Sequence, residues 1–304
     1  MSISNSQFGL DIDAQQEYAD GISFAEDNGA DVINNSWSMG WITSTWIDAA
    51  VESAIANGRG GLGCVVVFST GNFDTDVMYP ANSNPDVISV GAISPCGEKT
   101  SSTSCDTENN WGSCWGQEVD LAAPGVLIPT LDRLGSINGY NPNTLIHPGN
   151  GGTLVSSDYP DYDYTTWFSG TSAAAPHVSG VAALILSANN GLTHSEVADI
   201  MESTAQKVGG YTYHTQLDRD NGLWHQYVGY GLVDAGASVQ SAVCDHTIEN
   251  TTYTSDITIS DCTSVEMEDI SVQDDAILTI ENVGSISIDG PFEAEVGTQL
   301  VFNL

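Results

Sequence analysis

The chain has 304 residues, 41% of them hydrophobic, with 40 Asp and Glu against 5 Lys and Arg, a formal charge of −35. That length suits one large domain, or a large one with a small appendage, around an ample core. A surface so negative repels nucleic acid and anionic lipid, so neither is an expected partner. No apolar run reads as a membrane span, and the first residues, Met1 to Asn5, have neither the basic start nor the apolar core of an export signal. Arg219 is the last basic residue. The acidity reads either as adaptation to salty or cold surroundings or as drift without adaptation. Six cysteines suit an oxidising compartment but do not fix a pairing. Cys96 with Cys105 and Cys244 with Cys262 are the expected bridges, with Cys64 in a buried strand and Cys114 unassigned.

In chain order, residues 14–28 set Tyr18, Ile22 and Ala25 on one helical face and stop at Gly29, a C-cap. Val32 to Ser36 reads as a short strand. Ile47, Val51, Ala54 and Ile55 signal a second helix ending at Asn57-Gly58. The unbroken run Cys64 to Phe68 is apolar on both faces, which means a parallel sheet. Val87–Ala92 and Val119–Ala122 continue it. Thr193 to Glu196 is a capping box before Val197, Ile200 and Met201. Alternating helices and buried strands give an α/β layered domain. After Val243 the texture changes to short alternating segments around Ile257, Val265, Ala276 and Ile286. Residues 244–304 therefore read as a small all-β module, either a solenoid or part of a sandwich.

The central stretch is GTSAAAPHVSG, residues 170–180. It places Ser172 at a helix start, where free N–H groups and the helix dipole favour a developing anion. Ala173, Ala174 and Ala175 let another segment approach closely, and Pro176 is expected in the first turn, where its missing N–H costs nothing. At this motif the sequence resembles the subtilisin-like serine proteases, whose nucleophile lies in a Gly-Thr-Ser-x-Ala-x-Pro-His-Val run.

The resemblance implies a subtilisin-like three-layer α/β fold with a mostly parallel sheet. It assigns residues 1–243 to a partial peptidase domain, roughly the last two-thirds of a catalytic domain without its first strands. Ser172 is then the nucleophile and Asn72, after the buried strand, the oxyanion-hole carboxamide, with the Ser172 N–H as second donor. Ser36, Trp37 and Ser38 take the place that pairs with extended substrate, and Gly71 lines the pocket for the residue before the scissile bond. Ser38 stands where the family often has glycine. A structural calcium held by the carbonyls of Pro85 and Val87 and the carboxylate of Asp120 is also implied, although one carboxylate makes a weak site. The chemistry itself requires no cofactor. Asp158, Asp161 and Asp163 form an acidic loop that reads as a solvated turn or a further ion site. Gly229 to Ala235 matches the family's domain end.

The base is missing. Family triads run Asp, then His, then Ser, yet the thirteen residues before the first helix contain no histidine, and Asp11 and Asp13 lack the aspartate motif. His177 follows Ser172 by five residues, about 140° round the helix, and so faces away from it. His147, His194, His214, His225 and His246 read as surface residues. The expectation is a secreted serine endopeptidase acting on proteins or peptides, its Asp and His in an upstream segment, and little activity in this chain alone. The rivals are a non-catalytic protease-like scaffold that binds peptides or surfaces and, from residues 244–304 alone, an adhesion or structural protein.

Overall fold

A computed structural model describes residues 12–303 apart from 107, 109, 134–158, 160, 245, 250, 261–263, 282–284, 289 and 296. The described chain falls into two compact units, one comprising residues up to Ala183 plus Gly191–Val233, the other Leu184–Asn190 plus Asp234 onward. The division thus comes about ten residues before the composition change at Val243.

The first unit is built on four parallel strands in sequence order, β1 (Val32–Asn35), β2 (Val65–Ser69), β3 (Ile88–Ile93) and β4 (Leu121–Pro124). Every residue of β2 and β3 is buried, as expected of largely apolar strands covered on both faces. Helix α1 (Ile12–Asp27) buries Ala14, Ala19, Ile22 and Ala25, and α2 (Thr45–Asn57) buries Ile47, Ala50, Val51, Ala54 and Ile55. These faces close with Val66, Phe68 and Tyr79 into one core cluster. Each large apolar side chain taken out of water there contributes roughly 1.5–3 kcal/mol. Gly29, at φ +77°, ends α1 by donating its N–H to the Glu26 carbonyl at 3.0 Å, a conformation few side chains tolerate.

Two antiparallel hairpins, absent from the sequence reading, complete this unit: β5 (Ile128–Leu131) with β6 (Tyr164–Phe168), and β7 (His214–Gln216) with β8 (Arg219–Trp224). Helix α3 (Thr171–Ala188) follows β6, and α4 (His194–Ser203) carries both halves of the expected capping box between Thr193 and Glu196. Among the described helices, α3 alone is long and apolar enough to cross a membrane, which the sequence reading did not anticipate. Half of it is buried inside the protein, as befits a core helix.

In the second unit α5 (Ala235–Cys244) precedes nine short strands. They are β9 (His246–Glu249), β10 (Thr252–Tyr253), β11 (Ile257–Ser260), β12 (Ser264–Glu268), β13 (Ile270–Val272), β14 (Ile277–Glu281), β15 (Ser285–Ile288), β16 (Phe292–Ala294) and β17 (Gln299–Asn303). Every third strand pairs in parallel, giving three three-stranded sheets, β9-β12-β15, β10-β13-β16 and β11-β14-β17. This is the coil of a solenoid rather than a sandwich. Val265, Met267, Ile270, Val272, Leu278 and Ile280 fill its interior.

The Cys96–Cys105 disulfide is present, while Cys64 and Cys114 are free and buried. Cys64 lies just before β2, its Sγ 3.0 Å from the Ala30 carbonyl. The expected Cys244–Cys262 bridge lies outside the described residues, as do Asp11, Asp158 and His147.

Candidate active site

Parallel pairing sets the C-terminal ends of β1 and β2 side by side, the edge where sites of open α/β sheets assemble. Ser36 follows β1, and Thr70-Gly71-Asn72 follows β2. Helix α3 starts at this edge. The carboxamide oxygen of Asn72 accepts from the Thr171 N–H at 2.9 Å and the Thr171 hydroxyl at 2.8 Å. The Gly71 N–H in turn donates to Thr171 Oγ1 at 3.2 Å. With its oxygen committed, Asn72 presents Nδ2 as a donor, and among the described residues the Ser172 N–H is also unbonded.

Gly170 shows where those donors meet. A Cβ on Gly170 would lie 3.3 Å from Asn72 Nδ2 and 3.6 Å from Ser172 N. The two expected oxyanion donors thus both lie beside the position that a side chain on residue 170 would fill, and Gly170, at φ +130°, has none. Thr171, which orients the carboxamide, went unnoticed in the sequence; its place between the two donors was the only available signal.

Helix α3 begins at Thr171, so Pro176 is its sixth residue and not part of the first turn as expected. A proline there has no N–H for the carbonyl four residues back, which is that of Ser172. Ser36 compensates, its hydroxyl donating to the Ser172 carbonyl at 2.9 Å, while Ser172 Oγ donates to the Ser36 carbonyl at 3.1 Å. The Asn34 Nδ2 to Ser36 Oγ bond at 2.9 Å and the Ser179 Oγ to Asn34 Oδ1 bond at 3.0 Å extend this reciprocal pair. Ser172, the expected nucleophile, is thus held by neutral groups.

Trp37 turns its ring inward, stacked on Tyr18 at 4.2 Å and edge-on to Phe68 at 5.4 Å. Its partly buried side chain packs against the core, so the expected pairing with substrate would fall to its backbone. The Ser38 hydroxyl is 3.8 Å from Met78 Sδ, and a Cβ on Gly71 would lie 3.0 Å from that same sulfur. Met78 bridges the two walls assigned to the substrate pocket. His177 places Nδ1 2.9 Å from the Ala173 carbonyl of its own helix, a structural bond as expected. His225 is not a plain surface residue, being stacked on Tyr211 at 4.6 Å, and desolvation lowers the pKa of the half-buried His194.

Pro85, Val87 and Asp120 come together at the opposite end of the sheet, lining the same hollows. They do not fit calcium. Asp120 Oδ2 accepts the Ser89 N–H at 2.6 Å, and Oδ1 is ion-paired with Arg219. A hard cation that wants six to eight oxygens finds the single carboxylate already taken. Among the described residues no group of three or more His, Cys, Asp or Glu is gathered closely enough to hold a metal.

The subtilase family model (Peptidase_S8) matches residues 11–231. The calcium-dependent protease of Trichormus variabilis is 31% identical over 254 residues, covering 75% of this chain and 34% of that one. Subtilisin of Bacillus pumilus is 30% identical over 240 residues, covering 76% and 66%. Among solved structures, a protease from Pseudoalteromonas arctica superposes with a TM-score of 0.52 at 27% identity, over 75% of this chain and 58% of that one. The chain therefore spans between a third and two-thirds of the length of these relatives. With a parallel α/β sheet of the subtilisin type and a family match across most of its length, this chain belongs to the subtilase family.

Proposed function

We propose that the chain carries the nucleophile and oxyanion half of a serine endopeptidase. Ser172 Oγ attacks the peptide carbonyl to give an acyl-enzyme, while Asn72 Nδ2 and the Ser172 N–H receive the oxyanion. The single observation that carries this reading is that Asn72 Nδ2 and the Ser172 N–H both lie beside the side-chain position that Gly170 leaves unfilled. Family membership and the peptidases among the relatives support it.

The proton acceptor, an Asp-oriented histidine, comes from residues other than those described. Within the described residues the Ser172 hydroxyl is bonded to the Ser36 carbonyl, and His177 is bonded to its own helix. Substrates are proteins or peptides, held extended by the backbone of Ser36–Ser38, with Gly71 beside the residue preceding the scissile bond. No cofactor enters the chemistry. The disulfide and the acidic surface fit an oxidising, extracellular setting.

The test is labelling with a fluorophosphonate, mapped by mass spectrometry. The 304-residue chain alone is expected to react slowly, and a catalytic unit that also carries the base is expected to react fast, at Ser172 and nowhere else. Rapid labelling of the isolated chain overturns the external base. Labelling that survives Ser172→Ala overturns the nucleophile.

A further inference from the structure

In a chain with five basic residues, three are placed inside and paired. The Arg59 side chain is 5% exposed, 3.3 Å from Asp31, and donates to the Gly63 and Leu192 carbonyls. The Lys99 side chain is 8% exposed against Asp74, and that of Arg219 is 17% exposed against Asp120. Against 40 carboxylates, bases kept for solubility would stand in solvent. Arg219 is the case with the most at stake, because the Asp120 side chain is itself only 7% exposed.

Arg219 lines two hollows of about 340 Å³ each, both also lined by Pro85, Val87 and Asp120. One planar group donates to Asp120 Oδ1 and to the Gln117 carbonyl, so it binds a carboxylate and a loop carbonyl at once. The rings of Trp224 and Tyr230 lie 5.7 Å and 5.9 Å from its centre. Trp224 anchors β8 through its indole N–H to the Val119 carbonyl at 2.8 Å, which fixes Arg219 opposite the start of β4. Further acids surround the pair. Asp86, Asp199, Glu202 and Asp220 line one hollow, Glu118 the other, and Asp218 both. Glu202 is 8% exposed, with the Asn221 amide at 2.9 Å.

We infer that Arg219 is a built-in counter-ion, holding Asp120 and the adjoining loop as a bound divalent cation would and making this corner of the fold independent of calcium. Removing it leaves a buried carboxylate without its cation amid an acidic surplus, beside the carbonyl-bearing Pro85–Val87 turn. That is a cation site made vacant. The inference stands on the ion pair and its surroundings and is independent of the peptidase reading.

The experiment uses the 304-residue chain, its thermal midpoint measured in chelator and in millimolar calcium, and terbium luminescence sensitised through Trp224 and Tyr230. The wild type is expected to show no Asp120-dependent calcium response and no sensitised emission that Asp120→Asn removes. Arg219→Met is expected to lose roughly 5 °C or more in chelator, to recover much of it with calcium, and to gain terbium emission. The double variant with Asp120→Asn is expected to lose both gains. A wild-type calcium response or terbium emission abolished by Asp120→Asn overturns the inference, and so does a folded Arg219→Met chain with no calcium response. If Arg219→Met does not fold, the wild-type comparison with Asp120→Asn decides alone.

Discussion

The two ends of one parallel sheet are finished in opposite ways. At the C-terminal edge Ser36, Asn72, Thr171 and Ser172 are tied by neutral hydrogen bonds, and Asn72 Nδ2 and the Ser172 N–H, without an acceptor among the described residues, lie beside Gly170. At the N-terminal edge Asp120, Ser89, Gln117 and Arg219 are locked by charge, both carboxylate oxygens being engaged. The first edge keeps donors unspent, which chemistry needs and stability does not. The second spends everything, which stability needs. Damage at one edge should therefore be silent at the other.

The largest expected effect is at the charged edge. Arg219→Met leaves Asp120 buried without its partner and should cost about 3–5 kcal/mol of unfolding free energy. Chemical denaturation reads this, and the affinity of Ser172 for a boronate should stay unchanged in the folded fraction. Next comes Asn72→Ala. Loss of one oxyanion donor in a subtilisin is known to cost about 2.7–4 kcal/mol, and a similar loss of tetrahedral-adduct stability is expected here, with a smaller change in melting.

Glu202→Gln sharpens the contrast through pH. Burial, then the neighbouring Asp120, pushes Glu202 up to about 8 from an ordinary 4.5. Its folded pKa lies above its unfolded one, so the neutral carboxyl stabilises fully below about 4.5, and that contribution is lost as pH rises through about 8. A glutamine stays neutral. The melting advantage of the variant over the wild type should therefore grow by a few degrees between about pH 5 and pH 9, and a constant difference would contradict the assignment. Smallest is Ser36→Ala, which strands the Ser172 carbonyl opposite Pro176. It should cost about 1 kcal/mol in stability, measured by urea unfolding.

What the sequence disclosed follows the same division. The Ser172 edge was readable as structure because its elements are local: a helix start at Gly170-Thr171-Ser172, and an asparagine just past an apolar strand. Helix faces and buried strands were readable because period and apolarity mark them. The bond between Ser36 and Ser172 spans 136 residues, and the Arg219–Asp120 pair spans 99. No spacing rule reaches that far, so the loss of Asp120 as a calcium ligand could not be foreseen. The turn position of Pro176 depended on where the helix begins, a boundary sequence fixes poorly. The hairpin strands, three to six residues long, carry too few alternations to declare themselves, whereas the alternating segments around Ile257, Val265, Ala276 and Ile286 were legible and coincide with β11, β12, β14 and β15 of the solenoid.

The most direct measurement is of a peptidyl boronate bound to the chain, by boron NMR and by a structure of the adduct. The predicted result is tetrahedral boron on Ser172 Oγ, with one boronate oxygen within hydrogen-bond distance of both Asn72 Nδ2 and the Ser172 N–H. Boron bonded elsewhere, or a Ser172 adduct whose oxygens leave Asn72 untouched, would contradict it.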